Sequence, residues 1–101
     1  MSFIEVAKTT EIPKGKMKGI TLGGKDILIT NIDGQYYAIG GKCTHMGGDL
    51  SKGMLDGKIV MCPRHGSKFD VTTGKIVGGP AAKDEPKFEI KIEGMGIKVN
   101  I

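Results

Sequence analysis

Residues 43–65 read CTHMGGDLSKGMLDGKIVMCPRH, opening with Cys-x-His (Cys43, His45) and closing with Cys-x-x-His (Cys62, His65). Sixteen residues separate His45 from Cys62, and the stretch holds both cysteines and both histidines of the chain. Four soft or borderline ligands in two short clips, with none spent elsewhere, point to one metal site. The remaining residues must then form the scaffold that brings the clips together.

Outward from the clips the chain is punctuated at close intervals. Upstream, residues 3–8 suit a first strand, Pro13 breaks the run, and residues 16–22 suit a second strand closed by Gly23-Gly24. Residues 25–32 are rich in β-branched and aliphatic side chains. Asp33-Gly34 is a strong hairpin signal, and residues 35–39 return the chain to Gly40-Gly41 and the first clip. Between the clips, residues 49–55 are too short and glycine-broken for a helix, Asp56-Gly57 signals another hairpin, and residues 58–61 run as a strand into Cys62. Residues 67–70 leave the second clip as a strand, and residues 72–75 turn it back. Residues 78–82 (Gly-Gly-Pro-Ala-Ala) form a loop, because proline cannot pair inside a central strand. Phe88, Ile90 and Ile92 alternate along residues 87–93, and Ile97, Val99 and Ile101 alternate after a turn at 94–96. About nine short strands without helical periodicity argue for an antiparallel all-β sandwich or barrel with the clips at hairpin tips.

The 101 residues fit one domain, residues 1–101, with the ligand-bearing part at about 41–82. Seventeen glycines, roughly twice the usual share, match strands joined by tight turns. The apolar runs fall far short of the ~20 residues that cross a bilayer, and the N-terminus has no signal-peptide pattern. Cytoplasm is the expected compartment, with no membrane association. Net charge is +4, from fourteen lysines and one arginine, Arg64. The lysines are dispersed and lack interleaved aromatics, which suits a solvated surface or an acidic protein partner better than nucleic acid.

On ligand chemistry alone two occupants are open, a tetrahedral zinc or an iron–sulfur cluster with mixed ligation. Zinc fingers usually pair two cysteines in one clip and two histidines in the other. Here each clip has one of each, so that each loop can offer its cysteine to one iron and its histidine to the other.

Cys-Thr-His-Met-Gly-Gly at 43–48 and Cys-Pro-Arg-His-Gly-Ser at 62–67 resemble the two boxes of the Rieske [2Fe–2S] proteins, and Gly78-Gly79-Pro80 resembles their proline loop. The resemblance implies a Rieske-like β-sandwich with a cluster-binding subdomain of two loops plus the proline loop. It also implies one [2Fe–2S] cluster, with Cys43 and Cys62 on one iron and His45 and His65 on the other. Two thiolates leave such a site neutral when oxidised, which makes an added electron easier to accept than in an all-cysteine ferredoxin. Where respiratory members carry a disulfide beside the cluster, this chain has Gly48 and Arg64. Ser67 matches a serine that can donate to a cluster sulfide, whereas Phe69 stands where high-potential members have tyrosine. Both features imply a low-potential ferredoxin. Met46 is a candidate shield of the cluster from water, although ordinary packing explains it as well. Gly47, Gly48, Gly66 and Gly79 are candidates for close backbone approach, and Arg64, Lys42, Lys52 and Lys68 for docking an acidic partner.

The function implied is a soluble one-electron carrier that takes electrons from a reductase and passes them to an oxygenase or other redox enzyme. Two alternatives stand beside it: a small subunit of a nitrite-reductase-like complex, and a zinc-binding structural module. A catalytic oxygenase is not expected, because a second iron held by two histidines and a carboxylate finds no histidine left over.

Overall fold

A computed structural model describes residues 2–44, 47–64, 66–79 and 83–101. Within them the chain forms eleven strands: β1 Phe3–Lys8, β2 Met17–Leu22, β3 Lys25–Ile32, β4 Gln35–Gly40, β5 Met54–Asp56, β6 Ile59–Met61, β7 Lys68–Asp70, β8 Ile76–Gly78, β9 Lys87–Phe88, β10 Ile90–Glu93 and β11 Gly96–Asn100. Helical structure among the described residues is limited to single 3-10 turns at Thr9–Glu11 and Leu50–Lys52.

Three antiparallel sheets result, in the orders β1-β11-β10, β2-β3-β4-β9 and β5-β6-β7-β8. The middle of the three is set by β3, in which Ile27 through Asn31 are buried without interruption. Such a run means that both faces are covered. Ile27 and Ile29 point one way and pack with Ala7, Ile12, Ala38, Ile97 and Val99. Leu28 points the other way, joining Ile39, Leu50, Val60, Phe69, Val71 and both cysteines. The β1-β11-β10 sheet therefore closes a sandwich with one face of the middle sheet. The small β5–β8 sheet covers the opposite face and carries the second clip. At the far end of the sandwich Ser2 and Ile101 exchange backbone hydrogen bonds of 3.4 and 3.2 Å, so the two ends of the described chain lie side by side.

Three expectations need correction. The strands number eleven rather than about nine, because β5 is built from the glycine-flanked residues 54–56, and Gly78 belongs to β8 rather than to the following loop. Residues 87–93 are not one strand. The chain breaks at Glu89, so that β9 pairs with β4 while β10 pairs with β11. Phe88, Ile90 and Ile92 keep one alternation across a switch between sheets, and side-chain periodicity does not register such a switch.

Candidate metal centre

Each clip is the tip of a hairpin. The first is closed at its base by a bridge between Lys42 and Asp49, and tethered by Gly41 N–H to the Asp26 carbonyl at 2.8 Å. The second caps β6 and β7, whose last pair is Met61 with Lys68. Inside, the two clips repeat one pattern. Cys43 N–H donates to the Gly48 carbonyl at 2.7 Å, and Gly47 N–H donates back to the Cys43 carbonyl at 2.8 Å. Cys62 N–H donates to the Ser67 carbonyl at 2.7 Å, and Gly66 N–H donates back to the Cys62 carbonyl at 3.3 Å. Each loop thus turns back on its own cysteine, five residues ahead and four behind. The turn requires left-handed backbone at the fifth position, where φ is +71° at Gly47 and +77° at Gly66.

The two cysteines are unbridged, and they are only 4% and 3% exposed although they sit on loops. Both belong to the packed group that contains Phe69 and Leu50. The clips meet directly, since a β-carbon on Gly48 would lie 2.7 Å from Cys62 Sγ and 3.3 Å from Cγ of Arg64. The two positions where a disulfide is missing are therefore neighbours, and the arginine stem fills the space beside the glycine. Ser67 is fully buried, as is Phe69, whose ring faces inward from β7.

The segment after β8 touches both clips. A β-carbon on Gly79 would collide with Ser67 Cα and lie 2.8 Å from the Gly66 carbonyl oxygen. At the far end of the segment, Thr44 Oγ1 donates to the Lys83 carbonyl at 2.6 Å. Residues 79–83 thus start against the second clip and end against the first.

Of the predicted site residues, the structure brings together Cys43, Cys62, Gly47, Gly48, Gly66, Ser67, Phe69, Gly79 and the stem of Arg64. His45, Met46, His65 and Pro80 lie outside the described residues. Lys42, Lys52, Arg64 and Lys68 are all exposed, but the two nearest the first clip are not isolated charges. Ser51 donates to the Asp49 carboxylate through Oγ and N at 2.7 and 3.0 Å. Those bonds, with help from Lys42 and Lys52, hold Asp49 below the usual carboxylate range. Lys68 stands on the outer face of the small sheet, with its stem against Gly78.

Sequence reasoning missed Thr44 and Glu85. Glu85 is 5% exposed, and burial pushes its carboxyl up to about 7 against the opposing hydrogen bond from Thr44 N–H. Glu85 looks unremarkable within Lys83-Asp84-Glu85-Pro86-Lys87. The only hint was the proline that follows it, which fixes the backbone just where the chain re-enters the sheets.

The sequence model of the Rieske [2Fe–2S] domain matches residues 2–91. The chain is 35% identical over 100 residues to a Ralstonia sp. protein described as the ferredoxin component of naphthalene 1,2-dioxygenase/salicylate 5-hydroxylase systems, covering 99% of this chain and 96% of that one. Among solved structures it is similar to a chain in the complex of reduced oxygenase and oxidized ferredoxin of carbazole 1,9a-dioxygenase, at TM-score 0.90 and 28% identity, covering 96% of this chain and 91% of the other. The Sphingomonas yanoikuyae B1 ferredoxin shares the fold at TM-score 0.93 and 23% identity, each chain 99% covered. With paired clips, two buried thiols and a match along most of its length, the chain belongs to the Rieske [2Fe–2S] family.

Proposed function

We propose that the chain is a one-electron carrier that holds a Rieske [2Fe–2S] cluster and passes electrons from a reductase to an oxygenase. The observation that supports this best is the pair of matched clips. Each presents a free, buried thiol at the base of a turn that the backbone itself closes. Cys43 and Cys62 would hold one iron and His45 and His65 the other. The donor set fits, because two thiolates among Leu28, Leu50 and Phe69 suit a site that is neutral when oxidised and costly to leave uncompensated.

When bound, the cluster supplies one reversible electron; everything else falls to the protein. The repeated turns would hold Cys43 and Cys62 in place as the electron arrives and leaves. Gly79 rests against the second clip and the Lys83 carbonyl accepts from Thr44 of the first. Ser67 would donate a hydrogen bond to a cluster sulfide, and Phe69 would fill its neighbouring space without donating. That combination supports a low potential. The chain is read as one domain over residues 1–101 with the cluster part at about 41–82, as a cytoplasmic protein, and as a carrier without catalytic residues of its own. Among the described residues no helix is long and apolar enough to cross a membrane. The oxygenase is proposed as acceptor because two of the proteins similar to this chain are described with oxygenase systems.

Metal and sulfide analysis with an EPR spectrum of the dithionite-reduced protein tests the reading. Iron and acid-labile sulfide in equal amounts, with the rhombic signal of mixed histidine–cysteine ligation, are expected. Stoichiometric zinc with no signal would sink it. Arg64, exposed beside the clips, is proposed to meet an acidic acceptor. Arg64→Glu is expected to slow electron transfer to the oxygenase on the order of tenfold at low salt, with the difference shrinking as salt is added. A rate unchanged at every ionic strength would remove Arg64 from the docking surface.

A further inference from the structure

Strand β6 is apolar at all three of its positions, Ile59, Val60 and Met61. Such a strand is expected where both faces of a sheet are covered. Here only one face is. Leu55, Val60, Phe69 and Ile76 sit opposite one another across β5–β8, and all four belong to the metal-binding core or pack against it. The other face carries Met54, Met61 and Lys68 in one row, with Ile59 beside them. Val77 joins them as the extra residue where the β7–β8 register shifts, between the Lys68–Gly78 and Phe69–Ile76 pairs. Together with Asp56 these side chains line an open groove of about 450 Å³. Met54 is 69% exposed and Val77 52% exposed, so no described residue covers the two walls.

The groove runs up to the second clip. Met61 immediately precedes Cys62, Lys68 immediately follows Ser67, and their pairing is the last before the loop. A protein that approaches Cys62 and lies along β6 and β7 therefore covers the groove as well. Charge says what kind of protein fits. Lys68 lines the groove, Arg64 is exposed on the clip, and Lys75 is exposed just before β8. Asp70 is already engaged by Lys58 at 3.3 Å and by Thr72, so Asp56 is the acid that remains among the described residues of these strands. A second copy of the chain would bring the cations against one another, which disfavours self-association. The bulge at Val77 distorts the β8 edge and disfavours strand addition as well. What fits is an apolar ridge bordered by carboxylates, and the two methionines can adapt their shape to it.

We propose that the outer face of β5–β8 is a docking surface for the oxygenase that accepts the electron, taking an apolar ridge of that protein whose rim is acidic. The inference rests on the carrier reading above and adds the surface on which the acceptor lies. The apolar walls hold the partner, and the cations steer and orient it. Met54 and Val77 become buried only in the complex, which sets the acceptor beside the clip that carries Cys62.

The test mixes reduced, iron-loaded protein with a purified oxygenase that wild-type protein reduces. Three quantities are read: the concentration for half-saturation of electron transfer, the reduction potential and the EPR spectrum. Met54→Gln combined with Val77→Thr keeps size and charge but makes both walls polar. This double variant is expected to raise the half-saturating concentration on the order of tenfold at every salt concentration. Its potential and spectrum are expected to match wild type, because neither side chain belongs to the packed group around the thiols. Lys68→Gln is expected to raise half-saturation about threefold at low salt, with the difference gone at high salt. Met95→Gln, exposed in the turn between β10 and β11, serves as control and is expected to behave as wild type. The proposal is overturned if the double variant saturates as Met95→Gln does. It is equally overturned if sedimentation shows a wild-type dimer that the double variant dissolves, since the face then belongs to a second copy. A loss accompanied by a changed potential overturns it too, because the face then supports the centre rather than the partner. Failure of the carrier reading looks different: wild-type protein then holds no cluster, or holds one and reduces no oxygenase, before any variant is made.

Discussion

Phe69 is the side chain proposed to set the character of the centre. It is fully buried in the packed group that holds both thiols, and a phenyl ring offers no proton to sulfur. Phe69→Tyr places a donor there and is expected to raise the reduction potential, read by voltammetry or redox titration followed by EPR. An unchanged or lower value would show that the new hydroxyl does not donate to the cluster. If it finds no acceptor at all, the same variant loses about 1–3 kcal/mol of stability. Glu85 gives a second prediction at this scale. Its carboxyl is raised from 4.5 to about 7 by burial, so the unfolded chain releases that proton more readily than the folded one. The sign follows: the penalty is absent below about pH 4.5, grows between there and pH 7, and is complete above. Relative to Glu85→Gln, wild-type protein is expected to lose up to about 3 kcal/mol between pH 5 and 8, measured as the difference in thermal midpoint at each pH. Parallel profiles for the two proteins would refute the burial argument. Neither residue announced its role equally well. Phe69 could be singled out because it sits at a fixed distance from Cys62, whereas the burial of Glu85 comes from a fold that brings residues 40, 74 and 85 together.

At the scale of elements, the glycines of the clips separate into two kinds. Gly66 adopts φ +77° with open space around its absent side chain, whereas Gly79 faces the Ser67 backbone at contact. Gly66→Ala therefore bears only the left-handed backbone cost of about 1 kcal/mol. Gly79→Ala must also displace the loop, and is expected to cost at least twice as much and to accelerate cluster loss, with both effects read by chelator challenge and thermal melting. Equal effects would mean that the 79–83 segment does not rest on the second clip. The hairpins were readable where a turn has a chemical requirement. Asp33-Gly34 connects β3 and β4 as predicted, with φ of +52° and +93°. What could not be read was decided by pairing rather than by local pattern. Strand β5 exists because Met54 and Leu55 have Met61 and Val60 opposite them. The break at Glu89 exists because two sheets compete for one alternating run.

For the whole molecule, the decisive feature is that β3 and β4 serve two cores. Ile27, Ile29 and Ala38 belong to the sandwich, and Leu28 and Ile39 to the metal-binding side. Only the second core contains the cysteines, so removing the metal takes a cross-link from that side alone. Stripping the cluster is expected to raise hydrogen exchange throughout β5–β8 while β3 and β11 keep their protection. Uniform loss of protection would show that the cores do not melt separately. The cysteine–histidine clips marked the candidate site in the sequence, and the β-rich run of residues 25–32 implied burial. That burial on two faces divides the interior into two cores was not legible, because the uninterrupted run 27–31 looks the same whatever covers it.

The hydrogen-bonded meeting of Ser2 with Ile101 carries a different consequence. Residues 2 and 101 already touch, so a short linker between them closes a ring at little entropic cost. New ends can then be opened at Gly23-Gly24, where added β-carbons would meet open space. Both operations leave the two clips and the 79–83 segment in their present order. In such a ring the fold would no longer have a first strand, and what remained fixed would be only the neighbourhood of the metal.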